Sequence, residues 1–232
     1  MSAGQNSELE KAAPTPAEIR FIDPLVDPAW DELVLSHPEA TLFHSSAWGK
    51  VLARTYGHKP FYLHVIRRGI TEALVPLMEV SSFFTGRRGV CLPFSDFCGP
   101  LLFGNADTTV VFEKLASLAR ERRWSHVQLR DQLPIASATA FYGHSLDLRP
   151  GAEALFARFS SPVRRAIRKA EKSGLTVERS ESWASVRDFY QLHVETRRRH
   201  GLPPQPQSFF RNIFREVIEP GYGFVIRAFL KS

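Results

Sequence analysis

A pattern of strands and helices occurs twice along this chain, and it constrains the fold more than any single motif. From residue 19 the sequence predicts a short strand, two helices, several strands, a long helix and further strands, ending near the turn Pro150-Gly151. Two helices, a strand, two more helices and a last strand follow that turn. Strands interleaved with helices indicate sheets covered by helices. We therefore expect an α/β (α+β) chain with mixed sheets flanked by helices, in a first unit over 18–150 and a second over 151–232.

The individual elements follow from hydrophobic periodicity, helix caps and turn residues. Strands are predicted at 19–22, 60–67, 71–80, 89–93, 100–103, 126–130, 143–148, 175–179 and 223–229. Helices are predicted at 28–35, 45–56, 108–123, 152–159, 162–173, 183–199 and 208–218. The polar residues 1–17 predict a disordered tail. The last strand reads as a central strand without partners, which indicates that the second unit is truncated.

Composition narrows the partners without naming one. The net charge of +6 favours anionic ligands, among them nucleic acid, phosphorylated sugars, anionic lipid and coenzyme phosphates. Cys91 and Cys98 lie in an apolar region with no metal-type spacing around them, so we expect buried free thiols and no metal site. The start of the chain has no signal-peptide pattern, and no apolar run has the ~18 residues that a membrane helix needs. These features predict a cytoplasmic protein.

The helix predicted at 162–173 carries the strongest charge pattern. Ser161 is a suitable N-cap, Pro162 suits the first turn, and Gly174 suits the C-terminal end. One face of this helix is basic, with Arg164, Arg165, Arg168 and Lys169. Guanidinium groups near a helix N-terminus can hold a phosphate or a carboxylate. A solvated basic face remains the alternative.

Four stretches in this order resemble the FemAB-like (FemABX) and BioF2-like acetyltransferase-domain branch of the GNAT superfamily. They are ATLFHSSAWGKVLARTYGHKPFYLHV (40–65), LPFSDFCGPLLF (92–103), FSSPVRRAIRKAEKSGLTVE (159–178) and FYQLHVETRRRHGLPPQPQSFFRNI (189–213). The resemblance implies tandem GNAT-like units, the second of them truncated here, with an acyl acceptor bound in a cleft. It also implies that Trp48, the Asp96 loop with Phe97, and the helix bearing Arg164–Lys169 belong to that cleft, with a core position as the alternative for Trp48.

Acyl transfer to an amine needs a neutral amine, a polarised donor carbonyl and close alignment of the two, so a modest general base is sufficient. Asp96 is a candidate because short polar residues in loops between strands often line clefts, although an Asx-turn is an equal alternative. Tyr190 and His193 share a helix face and are the other catalytic candidates, with a core position as the alternative for Tyr190. Glu195 is interpreted as a surface salt-bridge partner.

The resemblance implies an acyltransferase that uses acyl-CoA or aminoacyl-tRNA as donor and binds no cofactor tightly. Arg197 and Arg198 are candidates for the donor phosphates; helix C-terminal charge is the alternative. The implied acceptor is the amine of a phosphorylated envelope glycan, an exopolysaccharide or a peptidoglycan precursor. We also expect peripheral contact with the inner membrane and no DNA binding, while tRNA is an expected partner. The alternatives are a non-catalytic fragment of the family and a fragment that binds nucleic acid or another anion.

Overall fold

The structure is a computed structural model that describes residues 15–131, 133, 139 and 142–230. The chain divides into two compact units, Met1–Asp131 and Gln132–Ser232. Both units combine sheets with helices, which confirms the predicted fold class. The predicted domain ranges, 18–150 and 151–232, stay a prediction. Residues 1–14 of the predicted disordered tail lie outside the described residues.

The first unit contains helices and strands in irregular alternation. Its helices are α1 (Ala29–Leu35), α2 (Ser46–Tyr56) and α3 (Thr108–Arg122), with a 3₁₀ turn at Leu42–His44. Its strands are β1 (Glu18–Ile22), β2 (Lys59–Pro60), β3 (Tyr62–Arg67), β4 (Ile70–Val75), β5 (Met78–Ser82), β6 (Gly86–Val90), β7 (Leu101–Leu102) and β8 (Val127–Gln128).

The strands of the first unit form two four-stranded sheets. One is antiparallel with the order β1-β3-β4-β7. The other has the order β2-β5-β6-β8, and its β6 and β8 are parallel, with Gly89 opposite Val127 and Val90 opposite Gln128. A parallel pair needs a crossover connection, which here contains α3. The second sheet is therefore mixed.

The strand predicted at 71–80 is wrong as a single element. The chain forms β4 in one sheet, leaves it at Pro76 and Leu77, and enters the other sheet as β5. Pro76 has no N–H to donate to a strand ladder, which favours this change of sheet. The strand predicted at 60–67 is likewise divided, because Phe61 separates β2 from β3.

Helix α1 packs its apolar face into the core of the first unit. The indole of Trp30 donates a hydrogen bond of 2.8 Å to the His44 carbonyl, and its ring meets Tyr62 edge-on at 4.8 Å. Removing a large apolar side chain from water contributes about 1.5–3 kcal/mol. The largest fully buried side chains are Trp30, Tyr62, Leu52, Leu63, Leu74, Leu77, Met78, Leu92, Val51, Val65, Val75 and Val111.

The hairpin formed by β5 and β6 is fastened to the end of α3. Glu79, on β5, is 5% exposed and accepts two hydrogen bonds of 3.0 Å from Arg122 and one of 2.6 Å from the Trp124 indole. The Trp124 ring lies directly against the backbone of Gly89 on β6, where a Cβ would come within 2.6 Å of the ring. This contact requires glycine, so the base of the hairpin is held rigidly by α3.

The second unit consists mainly of helices around a short sheet. Its helices are α4 (Ala152–Arg158), α5 (Ser161–Lys172), α6 (Trp183–Arg199) and α7 (Gln207–Ile213), which continues as a π-helical turn at Phe214–Ile218. Its strands β9 (Leu175–Ser180) and β10 (Val225–Leu230) are antiparallel, with Val225 opposite Ser180. The largest buried apolar side chains of this unit are Leu155, Val186, Phe209, Phe210, Val217 and Ile218.

Three predictions for residues 143–199 are wrong in detail. Residues 143–148 are described and form no strand, since an alternating sequence without a pairing partner is insufficient. The helical spacing of Phe189 and Leu192 predicts that both face inward on α6, but they are 47% and 64% exposed. Ser161 is the first residue of α5 rather than its N-cap, which is Ser160 without a side-chain cap.

The described residues contain no helix long and apolar enough to cross a membrane.

Candidate functional site

A cavity of about 260 Å³ opens in the first unit where the parallel strands β6 and β8 end. The carboxyl ends of adjacent parallel strands diverge and commonly leave room for a ligand. The lining side chains come from three separate parts of the sequence: His58, Val80, Arg88, Val90, Pro93, Phe94, Gln128 and Arg130. The structure thus assembles a site that no local motif indicates.

The cavity is lined by cations and carries no acid. None of its eight described lining residues is Asp or Glu. Arg88 donates one hydrogen bond of 2.9 Å, from Nη1 to the Thr85 hydroxyl. Arg130 donates through Nη1 to the Ser95 carbonyl. Burial, and next the charge of Arg88, lower the pKa of His58, so its imidazole is neutral at pH 7 and able to donate or accept a hydrogen bond. This set suits an anion such as a phosphate.

One wall of the cavity is aromatic. The Tyr56 ring stacks on His58 at 5.3 Å and on Phe94 at 5.3 Å. Phe94 has a φ of +58°, an uncommon conformation for a non-glycine residue that the surrounding packing must hold. An apolar wall next to two guanidinium groups suits a ligand with both a planar or apolar part and a negative charge.

Asp96 and Phe97 lie on the same loop, a few residues beyond the part that lines the cavity. Both are exposed, and the Asp96 carboxylate makes no hydrogen bond within the described part of the chain. The Asx-turn alternative is therefore not formed. Ser95, between Phe94 and Asp96, is buried and anchors the loop by donating 2.6 Å to the Leu92 carbonyl. The loop thus presents Asp96 to solvent from a fixed base.

Trp48 is in the core rather than in a cleft wall. It is 6% exposed, and its ring meets Phe43 edge-on at 5.1 Å. Its indole donates a hydrogen bond of 3.2 Å to the Pro93 carbonyl. Because Pro93 lines the cavity and Trp48 does not, Trp48 supports the cavity wall from behind.

A buried cluster of His44, Cys91 and Cys98 lies under the same loop and was missed by sequence reasoning. Both thiols are free and buried, as predicted. Nδ1 of His44 accepts a hydrogen bond of 3.1 Å from the Thr41 N–H. The ring proton is therefore on Nε2, which lies 3.2 Å from the Gly99 carbonyl oxygen. Hydrogen bonding by Cys91 and then by His44 outweighs burial and lowers the pKa of Cys98 to about 6. The one signal for this cluster in the sequence was the presence of two cysteines seven residues apart.

In the second unit, the basic face of α5 is present as predicted. Arg165, Arg168 and Lys169 are exposed, and Arg164 is half-buried. Arg164 reaches the Ala157 carbonyl at 3.3 Å, and the Arg168 guanidinium lies 5.5 Å from the centre of the Phe156 ring. Within the described residues none of these four cations forms an ion pair. Their charge is therefore available to an anion, while a solvated face fits the same observation.

The structure brings together the catalytic candidates on α6. Tyr190 and His193 both pack on the Phe210 ring, with centroid distances of 5.2 Å for each. His193 Nε2 donates to Gln205 Oε1 at 2.7 Å, which leaves Nδ1 as the basic nitrogen of the neutral ring. Tyr190 is half-buried in this aromatic group, so a structural role accounts for its position.

The two donor-site candidates at the end of α6 differ. Arg197 donates hydrogen bonds of 3.1 and 3.0 Å to the Pro203 carbonyl and so fastens the loop that follows α6. Arg198 is exposed and makes no contact of this kind among the described residues. Glu195 forms the predicted surface salt bridge with Arg199. Arg198 is thus the more available cation for a phosphate.

Comparison with solved structures identifies the fold. The crystal structure of FemX superposes with a TM-score of 0.65 at 17% identity, covering 92% of this chain and 58% of that protein. The chain thus spans little more than half the length of FemX. A ribosomal-protein-alanine N-acetyltransferase from Brucella melitensis biovar Abortus 2308 gives a TM-score of 0.37 at 16% identity, covering 56% of this chain and 98% of that protein. No curated protein sequence matches the chain.

Comparison with protein families gives one match that spans both units. The FemAB family matches residues 100–217, just over half of the chain, from the end of the loop beside the cavity to the π-helical turn after α7. The chain therefore belongs to the FemAB family.

Proposed function

We propose that this chain is an acyltransferase that moves an acetyl or aminoacyl group to an amine of a peptidoglycan or other cell-envelope glycan precursor. The observation that carries the proposal is the FemAB family match over residues 100–217, because this family transfers amino acids to peptidoglycan precursors. The family assignment supports a transferase in general terms. The acyl group and the acceptor are the proposed part.

The cationic cavity of the first unit is the proposed site for the phosphate of the acceptor. Arg88 and Arg130 supply the guanidinium groups, and the Phe94–Tyr56 stack supplies an apolar surface for the rest of the molecule. Nucleotide- and lipid-linked envelope precursors carry phosphate next to sugar, which matches this pairing of charge and apolar surface. Asp96, exposed on the adjoining loop, is proposed to bind the acceptor amine before it loses its proton.

The residues of the second unit are proposed to act on the donor and on the proton. His193 Nδ1 is available to accept a proton, because its Nε2–H is engaged by Gln205. The four cations of α5 and Arg198 are proposed to bind the phosphates of acyl-CoA or aminoacyl-tRNA, with neither held as a tightly bound cofactor. Attack of the neutral amine on the donor carbonyl then needs alignment rather than a covalent intermediate. A cytoplasmic location and peripheral membrane contact belong to the same proposal.

The experiment is a transfer assay with labelled acetyl-CoA and labelled aminoacyl-tRNA against a nucleotide-linked peptidoglycan precursor. We expect label on the precursor, and none when its amine is blocked beforehand. Arg88→Gln should raise the KM for the acceptor about tenfold or more with little change in kcat, because it removes one charged hydrogen bond to phosphate.

Arg120→Gln, an exposed arginine on α3, is the matched control and should leave both constants unchanged. Transfer to the blocked acceptor, or absence of transfer with every donor, would contradict the proposal. Salt-dependent RNA binding without transfer would favour the binding-only alternative instead.

A further inference from the structure

The tip of the β5–β6 hairpin exposes two adjacent large apolar side chains almost completely to solvent. Phe83 and Phe84 are 98% and 92% exposed, and their rings meet edge-on at 5.5 Å. They occupy a three-residue turn between Ser82 and Gly86, which pair with each other. Gly86 has a φ of +70°, the conformation that such a turn requires at this position. Turn geometry therefore explains the glycine but not the two phenylalanines.

The hairpin holds this apolar tip in a fixed position. Its strands pair over five positions, from Met78 opposite Val90 to Ser82 opposite Gly86. Near the base, Glu79 is bound by Arg122 and by Trp124, and Trp124 covers Gly89. The Arg88 side chain reaches the Thr85 hydroxyl and stiffens the turn itself. The two rings consequently project from a rigid support and do not fold back onto the unit.

The side chains next to the tip are basic. Arg87 follows the turn directly and is exposed, and its carbonyl accepts a 2.8 Å hydrogen bond from the Ser125 N–H. That bond brings the segment with the exposed Arg123 next to the hairpin. The nearby carboxylate of Glu79 is already neutralised by Arg122. An apolar tip surrounded by uncompensated positive charge is complementary to an anionic lipid surface.

We infer that the Phe83–Phe84 tip inserts into the interface of an anionic membrane while Arg87 and Arg123 bind lipid phosphates. Aromatic side chains favour the interfacial region of a bilayer. A stable peripheral contact needs two signals, and the apolar tip and the basic collar supply them. A protein partner fits less well, because a stable interface buries about 800 Å² on each side and two rings offer far less.

This inference rests on the proposed function, since it assigns the peripheral membrane contact proposed there to a particular surface, and its test measures lipid binding separately from acyl transfer. The test is co-sedimentation of the intact chain with vesicles made of equal parts phosphatidylcholine and phosphatidylglycerol, and with vesicles of phosphatidylcholine alone. We expect binding to the mixed vesicles and weaker binding to the neutral ones. Binding to the mixed vesicles should decrease as salt increases, because salt screens the attraction to the anionic lipid. Failure of the wild-type chain to pellet with mixed vesicles would overturn the inference.

The variants distinguish insertion of the tip from nonspecific adsorption of exposed apolar side chains to the vesicles. Phe83→Ser/Phe84→Ser should reduce the partition coefficient on mixed vesicles about tenfold or more, because two large apolar side chains no longer leave water. Leu35→Ser, which removes an apolar side chain that is 81% exposed at the end of α1, is the matched control and should bind like the wild type. Equal loss in the two variants, or no loss in the phenylalanine variant, would overturn the inference.

Two further measurements complete the design. Phe83→Trp/Phe84→Trp should retain vesicle binding, because tryptophan also favours the interface. Transfer to a water-soluble acceptor should be the same for the serine variant and the wild type, so a loss of lipid binding and a loss of acyl transfer are distinguishable. A serine variant with unaltered circular dichroism but no lipid binding supports the inference; a tryptophan variant that does not bind contradicts it.

Discussion

Replacing Glu79 with glutamine should destabilise the first unit by about 2 kcal/mol. The buried carboxylate of Glu79 accepts three hydrogen bonds, two from Arg122 and one from the Trp124 indole. A glutamine keeps the shape, but its amide NH₂ faces N–H donors and one charged bond is lost, at about 1.5–3 kcal/mol. Arg122 is about one-third exposed and regains some hydration, which places the expected loss toward the lower end of this range.

The pH dependence of this loss provides an independent check. Burial alone would raise the pKa of Glu79, and the hydrogen bonds from Arg122 and Trp124 outweigh it, so its pKa is lowered from the usual 4.5. A carboxyl with a lowered pKa in the folded state stabilises the fold above its unfolded pKa, and this contribution is lost as pH falls through the folded pKa. The free energies of unfolding of Glu79→Gln and the wild type should therefore converge as the pH falls below 4.5.

Urea unfolding followed by tryptophan fluorescence measures this, because Trp30, Trp48 and Trp124 all lie in the first unit. The matched control is Glu121→Gln on α3, an exposed carboxylate that accepts one hydrogen bond from Ser117, with an expected change within about 0.5 kcal/mol. A Glu79→Gln variant as stable as this control at neutral pH, or a difference that grows as pH falls, would refute the reasoning.

Two further predictions concern packing and ionisation near the cavity. Gly89→Ala should destabilise the first unit by about 1–3 kcal/mol in the same urea assay, since the new methyl group would meet the Trp124 ring at 2.6 Å. An unchanged free energy of unfolding would show that the ring is free to move. Cys91 and His44 lower the pKa of Cys98, so the ultraviolet absorbance of its thiolate should titrate with a midpoint of about 6 in the wild type. This step should be absent in Cys98→Ser. A midpoint at the ordinary value of 9.0 would contradict the interaction of Cys98 with Cys91 and His44.

Sequence reasoning succeeded best where the signal is local. The start of α3 is fixed by Asp107, whose side chain accepts 3.0 Å from the Thr109 N–H, and the start of α6 by Ser182 in the same way. Caps of this kind depend on residues two or three positions apart, so the sequence displays them directly. The predicted bounds of these two helices agree with the structure to within one residue.

The sheets were harder to predict because pairing depends on distant residues. Strands β4 and β5 read as one apolar run, and only the structure shows that they belong to different sheets. The segment 143–148 has strand-like alternation but no partner in the described chain. Local propensity therefore predicts a strand poorly where its formation depends on pairing with neighbouring strands.

In the candidate site, too, local features were predicted and features that depend on distant residues were missed. The basic face of α5 and the shared face of Tyr190 and His193 follow from helical spacing and were predicted. The cavity was missed because His58, Arg88 and Arg130 come from separate segments that only the β2-β5-β6-β8 sheet brings together. The position of such a site depends on topology rather than on a motif.

The measurement that tests the account most directly is calorimetric titration of the intact chain with a nucleotide-linked peptidoglycan precursor and with the same glycopeptide lacking its phosphates. We predict that the phosphorylated precursor binds at least about tenfold more tightly, and that Arg88→Gln removes most of this preference while Arg120→Gln keeps it. Equal affinity for the two ligands, or a preference that survives Arg88→Gln, would contradict the claim that the cavity of this FemAB-family chain binds the phosphate of its acceptor.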